Sequence, residues 1–587
     1  MKRIYSFLLC TAAIAALVSC NDFLDRAPYN KNSSTSMFSS ALLAESVVSG
    51  AYSNIIWDYI TTDALNFDAF SSVVDPNYDI VDLRYPYLRG TVLSNHSMFT
   101  TYWKRFYEGV NRANDVINNI GKVPDMDEGL KAQRIAECKF LRAYHYYRLN
   151  CLWQGVPYYD KNLAPDEYVK PRESAETIWD NIIKDLDDCI ECETLPTKYA
   201  SGSPDYGRVT KGAAYALRGK AYLWKQEWKL AEDDFRAVMD CGYSLFTNGS
   251  YADLFTLANE HCDEMIFSAQ MVEQEGNGNV FSRSFGNYCT TGYAYCNLVL
   301  NTQFAESFTE KDGKPFDWDN YLPGYNALPP KARSAYFMRN NMTDAEKATV
   351  SEYGADLSLY DPAGNEARVA LAYANRDPRL AAIAITPYST YSGGASGAAV
   401  NYTYRFPYRD WASPSLDLNN WTTAYMFYPV RKFVTSGRDC INVLFNPVDI
   451  PIIRFADVLL SLAEAVNEQG NWQEAVTYVN MVRSRAGVAL LNAPGNTWTT
   501  VSGVEDMRGR IRDEKRWELA CESQLYNEEL RWGTWKDTKF ASGNGLLQVW
   551  GDPLYEYIWG GNAYYKWAIP QSEKEKNTNL DQNDYWN

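Results

Sequence analysis

The segment RFADVLLSLAEAVNEQGNWQEAVTYVNMVRSRAG, residues 454–487, decides the predicted fold because its pattern occurs twice in the chain. An earlier segment, TKGAAYALRGKAYLWKQEWKLAEDDFRAVMDCG (210–242), shows the same pattern at an offset of 244 residues. The earlier segment predicts a helical hairpin that turns near Trp228 and ends at Gly242. The matching positions are two alanines and one tryptophan in each segment: Ala221 and Ala465, Trp228 and Trp472, Ala231 and Ala475.

This pattern is typical of tetratricopeptide-type helix pairs. Small alanines let two helices approach closely where they cross, and an aromatic residue near the turn fills the gap. Because three identities are few, an alanine-rich helical hairpin of another kind is the alternative interpretation. Helical periodicity also covers residues 102–120, 130–153 and 174–193, so the helix pairs belong to a longer array.

The region from His261 to Asp449 lacks long helical periodicity. It is rich in Gly, Pro, Asn and Tyr, and it contains short alternating runs that predict loops, short helices and a few hairpins. A stretch of this length is too long for a single loop, so we expect a large excursion packed on the helical scaffold. The predicted fold is mainly α: a tetratricopeptide-like helix-pair scaffold with a large loop-rich excursion that carries a few short strands. The predicted domains are an N-terminal scaffold (38–260), the excursion (261–450) and a C-terminal helical region that completes the scaffold (451–587).

The chain begins with a segment that is typical of an exported lipoprotein. Lys2 and Arg3 precede an uncharged, mostly apolar run that ends at Val18 and is too short to span a bilayer. The run closes on LVSC, which looks like a lipoprotein box, so we predict a signal peptide over 1–19 and lipidation at Cys20. Residues 20–37 then form a polar tether. The alternative is an ordinary cleavage site that Cys20 merely follows.

Composition and motifs argue against several classes of function. The net charge of −17 disfavours binding to nucleic acid or to anionic lipid. Nucleotide-binding, nucleophile-elbow and zinc-protease motifs are absent from the sequence, which contains only three histidines. A glycosidase that uses two carboxylates stays an alternative, although no pair is selected by the sequence. The motif CIEC (189–192) and the acidic segment 312–320 favour a structural thiol and a solvated turn, so we predict no metal and no cofactor.

Aromatic residues make up 15% of the chain and cluster in segments that also contain turn residues. Tyr and Trp combine a flat apolar face with a polar tip, and a sugar ring offers the complementary surface of C–H groups and hydroxyls. We therefore predict that the ligand binds on loops from residues 75–95 and 280–325. The aromatic residues of 401–411 are the second choice for the binding surface. The alternative is that these side chains bury the excursion against the scaffold. The predicted ligand-binding residues are Arg84, Tyr85, Tyr87, Tyr288, Tyr295 and Trp318.

Motifs spread over nearly the whole chain resemble the SusD/RagB family of surface nutrient-binding lipoproteins of Bacteroidetes-type bacteria. Apart from NRDPRL, the excursion contains no motif that resembles this family. The motifs that carry the resemblance are CNDFLDRAP (20–28), FLRAYHYYRL (140–149), GVPYY (155–159), KGAAYALRGKAYLW (211–224), NRDPRL (375–380), the segment 451–488, RIRDEKRWELACESQLYNEELRWG (510–533) and the tail 564–587.

The resemblance implies a surface-facing, lipid-anchored protein of the outer membrane. It implies about four tetratricopeptide-like helix pairs that support a variable ligand face, which here corresponds to residues 261–450. It implies non-catalytic binding of oligosaccharide or polysaccharide nutrients and delivery to a SusC-like TonB-dependent transporter. The alternatives are peptide capture, as in the RagB-like branch, and a surface glycoside hydrolase. Four residues of the matching segments, Arg454, Asp457, Glu464 and Asn467, are expected to join helices rather than to touch a ligand.

Replacement of Cys20 tests the anchor. The variant Cys20→Ala removes the only thiol of the lipoprotein box, so we expect a protein that is not lipidated and is lost from the outer membrane. Metabolic labelling with a fatty-acid analogue measures this directly. Labelling of the variant at the level of the unaltered protein would show that Cys20 is not the site of lipidation.

Overall fold

The computed structural model describes residues 34–77, 84–395, 397–435 and 442–586. The predicted signal peptide, Cys20 and most of the predicted tether lie outside the described residues. Among the described residues, every helix is too short or too polar to span a bilayer.

Helices dominate the chain up to residue 240 and again after residue 454. The N-terminal helices are α1 (Ser34–Met37), α2 (Ala41–Ile60), α3 (Asp63–Phe70), α4 (Arg84–Leu88), α5 (Ser97–Asn119), α6 (Glu128–Trp153), α7 (Ala175–Glu191), α8 (Lys211–Lys225) and α9 (Trp228–Asp240). The helices of the middle region are α10 (Phe281–Phe285), α11 (Tyr288–Thr291), α12 (Thr302–Ser307), α13 (Pro330–Arg333), α14 (Asp344–Tyr353), α15 (Asn365–Ala374) and α16 (Pro378–Ile383). The C-terminal helices are α17 (Phe455–Glu468), α18 (Trp472–Ala486), α19 (Val504–Leu519), α20 (Leu525–Trp532), α21 (Trp535–Lys539) and α22 (Gln571–Lys576).

The long helices pack side by side in one array. Helix α2 packs on α5, α5 on α6, α6 on α7, α7 on α8, α8 on α9, α9 on α17, and α17 on both α18 and α19. The two hairpins with matching sequence patterns, α8–α9 and α17–α18, are therefore neighbours in the array.

The matching residues of these hairpins lie where the sequence pattern predicts. The four matching alanines are fully buried, and the two matching tryptophans are half-buried against the same core. Close approach within the first hairpin is visible at Gly219, where an added Cβ atom would lie 2.6 Å from the Phe235 ring. The predicted mainly α, tetratricopeptide-like fold is confirmed.

Among the described residues, short strands form four small antiparallel sheets. The strands are β1 (Val74–Pro76), β2 (Met265–Ala269), β3 (Leu298–Leu300), β4 (Thr390–Gly393), β5 (Val400–Thr403), β6 (Tyr428–Pro429), β7 (Ile450–Arg454), β8 (Gly545–Leu547) and β9 (Pro553–Glu556). Strand β3 lies between β1 and β6, while β2 pairs with β7, β4 with β5, and β8 with β9. The pairing of β2 with β7 joins the two ends of the excursion, since Met265 lies opposite Arg454 and Ala269 lies opposite Ile450.

The C-terminal region is less purely helical than predicted. The β8–β9 hairpin occupies residues 545–556, and the hydroxyl of its Tyr555 donates to Pro76 O at 2.7 Å. The hydroxyl of Tyr557, the first residue after the hairpin, donates to Asp75 Oδ1 at 2.6 Å by a second side-chain contact. The hairpin therefore packs beside β1, almost 500 residues earlier in the chain. Such a contact leaves no local pattern in the sequence.

A buried network of charges joins the excursion to the scaffold. Arg454, at the junction of β7 and α17, contacts the carboxylates of Glu264 at 2.8 Å, Glu518 at 2.6 Å and Glu522 at 2.7 Å. Glu518 on α19 also pairs with Arg485 of α18 and, at 3.1 Å, with Arg379 of α16. Because these side chains are buried, each charge depends on its partners for compensation.

The other residues that were expected to join helices have the same kind of contact. Asp457 lies 2.5 Å from Lys220, which links α17 to α8. Glu464 lies 2.7 Å from Arg531 on α20, and the side-chain amide of Asn467 donates to Val504 O at 3.1 Å. These contacts support a scaffold role for all three residues.

All nine cysteines in the described part of the chain are free thiols. Cys189 of the CIEC motif is fully buried, and its thiol donates to Ala136 O at 3.0 Å across the contact between α7 and α6. This position agrees with the predicted structural role.

Loss of one charge from the buried network should destabilise the protein strongly. Burial raises the pKa of Glu518, but the charges of three adjacent arginines outweigh burial, and the net pKa lies well below the usual value. Glu518→Gln should therefore lower the free energy of unfolding at pH 7 by about 3–5 kcal/mol. The contribution is present above the unfolded-state pKa of about 4.3 and is lost as the pH falls through the folded-state value. Urea unfolding at pH 7 and at a series of acidic pH values measures both effects.

Glu474→Gln is the matched control because it makes the same chemical change in a pair with Arg236 whose side chains are 37% and 43% exposed. Exposed pairs contribute about 0–1 kcal/mol. Equal losses in the two variants would contradict the role assigned to Glu518.

Candidate functional site

Backbone pairing and hydrogen bonds join three segments that are distant in sequence. The antiparallel pairing of β1 with β3 places Val74 opposite Leu300, and the Asn77 side chain donates to Cys296 O at 2.7 Å. The backbone N–H of Tyr288 donates to Asn419 O at 2.9 Å, which adds the loop after residue 404. The structure thus brings together the two segments in which the sequence predicts a ligand surface, and it adds a third.

Four aromatic rings form a contiguous surface where the segment that contains Tyr288 meets the loop after residue 404. The ring of Tyr288 lies 5.8 Å from that of Trp411 and 5.9 Å from that of Trp421, and Tyr295 lies 5.4 Å from Trp421. Trp421 is 49% exposed, and the other three rings are half-buried. We call Tyr288, Tyr295, Trp411 and Trp421 the aromatic face. These rings offer apolar surface to solvent next to one another.

Local backbone geometry holds two of these rings outward. Tyr288 begins α11, where the Asn287 side chain caps the helix by accepting from the Cys289 N–H. Trp421 has a φ of +69°, which is unusual for a bulky residue, and its N–H donates to the Asn419 side chain at 2.8 Å. Strained residues of this kind persist when the surrounding structure fixes them, and they concentrate at functional sites.

Polar groups surround the aromatic face. The guanidinium of the exposed Arg283 lies 5.3 Å from the centre of the Tyr295 ring. The Asn419 side chain accepts from the Trp421 N–H and donates to the Tyr408 hydroxyl at 3.5 Å. Apolar ring faces with hydrogen-bonding groups at the edge suit a ligand that is itself apolar on its face and polar at its rim.

Three predicted ligand-binding residues belong to the core instead. Tyr87 is fully buried, stacks on Tyr564 at 4.8 Å, and its hydroxyl is 2.7 Å from that of Tyr526. Trp318 is 4% exposed and donates to Glu306 Oε1 at 2.8 Å. Arg84 is 6% exposed, and its Nε donates to Asn66 Oδ1 at 2.7 Å.

The prediction of these residues as ligand contacts is therefore wrong. Arg84 and Tyr87 pack within the scaffold, and Trp318 packs within the excursion. Tyr288 and Tyr295 do lie at the surface, and they stay predictions as ligand contacts. The side chain of Tyr85 lies outside the described residues.

Sequence reasoning missed Trp421, which is the most exposed ring of the aromatic face. The signal in the sequence is a single tryptophan among polar residues, NNWTT (419–423), without helical or strand periodicity. Trp411 falls in the segment 401–411 that was the second choice. The acidic segment 312–320 forms a local turn in which Asp317 accepts from the Asp319 N–H at 3.0 Å, which agrees with the predicted solvated turn.

Comparison with known proteins identifies the family. The model of the SusD family matches residues 263–586, which is more than half of the chain. This chain belongs to the SusD family. A second family model, described as starch-binding and associating with the outer membrane, matches residues 22–223.

Relatives and solved structures of SusD-type proteins cover almost the whole chain. The SusD-like protein P25 of Formosa agariphila is 24% identical over 610 residues, covering 100% of this chain and 99% of that protein. A crystal structure of a SusD-like protein from Bacteroides fragilis has a TM-score of 0.73 at 22% identity and covers 95% of this chain and 100% of that one. The surface glycan-binding protein A of Bacteroides thetaiotaomicron, in complex with laminarihexaose, has a TM-score of 0.59 at 18% identity and covers 93% and 100%. These structures share the fold of this SusD-family protein.

The stability of two variants distinguishes core aromatic residues from the aromatic face. Tyr87→Ala removes a fully buried ring and should cost about 3–5 kcal/mol of unfolding free energy. Trp421→Ala removes a half-exposed ring and should change stability by less than about 1 kcal/mol. Thermal and urea unfolding of both variants provide the measurement. A large loss in Trp421→Ala would show that this ring supports the core.

Proposed function

We propose that this SusD-family protein binds an oligosaccharide or polysaccharide at the aromatic face and leaves the ligand chemically unchanged. The observation that carries the proposal is the row of rings formed by Tyr288, Trp411, Trp421 and Tyr295 at the surface of the excursion. Two of the comparisons support a glycan as the ligand. One matching family model is described as starch-binding, and one similar structure contains laminarihexaose.

The chemistry of the aromatic face suits a sugar. A pyranose ring can lay its C–H groups on an indole or phenol ring, and its hydroxyls then reach outward to the edge of the surface. Arg283 and Asn419 stand at that edge with hydrogen-bonding groups. Aromatic side chains also lose little conformational entropy on binding, because each has only two side-chain torsions to restrict.

The buried carboxylate of Asp417 has a structural role. Asp417 is fully buried beneath the loop that carries Trp411, and its oxygens accept from Arg339 at 2.6 Å and from Arg405 at 3.2 Å. A glycosidase needs two carboxyl groups that reach the bound sugar, one to donate a proton and a second to attack or activate water. Asp417 is enclosed and held by two guanidiniums, so it does not reach a sugar bound at the aromatic face.

The cellular setting of the proposal follows from the N-terminal sequence and from the family. We propose that Cys20 carries the lipid anchor, that the protein faces outward from the outer membrane, and that it passes the bound glycan to a SusC-like TonB-dependent transporter. The lipoprotein box at LVSC and the description of the matching family model as associating with the outer membrane support this setting.

Single alanine variants of Tyr288, Tyr295 and Trp421 test the ligand surface. A glycan array first selects a ligand, with laminarin and soluble starch as the initial probes, and calorimetry then measures its affinity for each variant. Each of these three replacements should weaken glycan binding by about 2 kcal/mol or more, which corresponds to a roughly 30-fold loss of affinity. Incubation of the protein with the same polysaccharide should release no new reducing ends.

Trp498→Ala is the matched control, because Trp498 is similarly exposed at 52% and contacts none of the rings of the aromatic face within the described part of the chain. It should bind as the unaltered protein does, and thermal melting confirms that each variant is folded. Normal binding by all three variants would place the ligand elsewhere. Preference for peptides over glycans on matched arrays would favour peptide capture, and turnover abolished by one carboxylate replacement would favour a glycosidase.

A further inference from the structure

A histidine and two carboxylates meet where the two ends of the excursion join the scaffold. Glu260 and His261 precede β2, and Asp449 precedes β7. Within the described part of the chain, this is the only group of three side chains of metal-binding type whose ligand atoms all lie within 4.8 Å of one another. The group shares no residue with the aromatic face.

The distances suit one small cation. The Nε2 atom of His261 lies 3.8 Å from Glu260 Oε1 and 3.7 Å from Asp449 Oδ2. Tetrahedral zinc with bonds of about 2.0–2.2 Å separates its ligand atoms by roughly 3.4 Å. The two distances from His261 exceed this value by a few tenths of an ångström, and all three ligand atoms lie within 4.8 Å of one another. Three protein ligands leave a fourth position for water.

Neighbouring groups already orient the donors. Asp449 accepts from the Met271 N–H at 2.7 Å and from the Gln270 side chain at 2.6 Å. The second oxygen of Glu260 accepts from the Asp449 N–H at 2.9 Å. The His261 ring packs on Tyr206 with 4.3 Å between ring centres. Outer contacts of this kind hold metal ligands in position and raise affinity.

The two carboxylates lie close together with little basic compensation. The side chain of Asp449 is 4% exposed and that of Glu260 is 13% exposed. Among the described residues, His261 is the only basic side chain within 4.0 Å of either carboxylate. A cation bound between the two carboxylates would compensate both, and the imidazole of His261 is a common type of metal ligand.

Lys198 and Arg208, which line the same pocket as His261, pair with other carboxylates. Lys198 pairs with Asp263 at 2.5 Å, and Arg208 pairs with Glu137 at 3.0 Å and with Glu45 at 3.3 Å. The carboxylates around Arg454 differ from Glu260 and Asp449, because the Arg454 guanidinium contacts them directly. The pair of Glu260 and Asp449 lacks such a guanidinium among the described residues.

We propose that Glu260, His261 and Asp449 bind one divalent transition-metal ion, with Zn²⁺ as the ion that the donor set fits best. Imidazole nitrogen and carboxylate oxygen are both ligands of zinc, whereas Ca²⁺ takes six to eight oxygen ligands. The ion would clamp the loop before β2 to the start of β7. It would therefore stabilise the base of the excursion rather than contact the glycan.

The experiment uses the purified protein without a histidine tag, treated with a chelator and then titrated with Zn²⁺ by calorimetry. We expect one zinc ion per chain and a higher melting temperature in the presence of zinc. His261→Ala and Asp449→Asn should each weaken zinc binding by at least about 10-fold. In chelator, Asp449→Asn should melt at or above the temperature of the unaltered protein, because it removes the repulsion with Glu260, and this separates loss of the metal from loss of the fold.

His96→Asn is the matched control. His96 is not fully buried, and it caps α5 by accepting from the Met98 N–H, a role that asparagine also fills well. The control should bind zinc as the unaltered protein does. Absence of stoichiometric zinc binding, zinc binding that survives both ligand replacements, or binding of Ca²⁺ in preference to Zn²⁺ would each overturn the proposal.

Discussion

The contact between Arg454 and Glu518 is the constraint on which the rest of the structure depends. Both side chains are fully buried, so each charge requires the other and the further partners that surround them. Through Glu264, Arg485 and Arg379, the same network reaches the start of β2 and helices α16, α18 and α19. A single set of buried charges therefore sets the orientation of the excursion relative to the helical array.

This attachment explains how loops can present a defined surface. The aromatic face stands on α11 and on the loop around Trp421, which have little regular secondary structure of their own. They are held because β3 pairs with both β1 and β6, and because the backbone N–H of Tyr288 donates to Asn419 O and so joins α11 to the loop around Trp421. The scaffold thus consists of packed helices, and the proposed ligand surface consists of loops positioned by that scaffold.

Compensation of buried charge takes two forms in this molecule. Around Arg454 and along α17, carboxylates from distant segments meet guanidinium or ammonium groups directly. At Glu260 and Asp449, the only basic side chain within 4.0 Å among the described residues is the imidazole of His261. The proposed zinc ion would supply there the positive charge that an arginine supplies elsewhere, and both devices lie at the junction of the excursion with the scaffold.

The sequence by itself determined the features that depend on local pattern. Helical periodicity and the repeated alanine and tryptophan positions determined the helix pairs, and the motifs determined the family, because each of these signals lies within a few turns of chain. The tertiary structure alone decided which aromatic rings are exposed to solvent. Tyr87 and Tyr288 both come from segments that the sequence predicts as ligand-binding loops, but Tyr87 is enclosed by Tyr526 and Tyr564, more than 400 residues away. It also decided that Asp449 would face Glu260 and His261. Burial and ligand geometry are set by contacts between distant segments, and a one-dimensional pattern does not record those contacts.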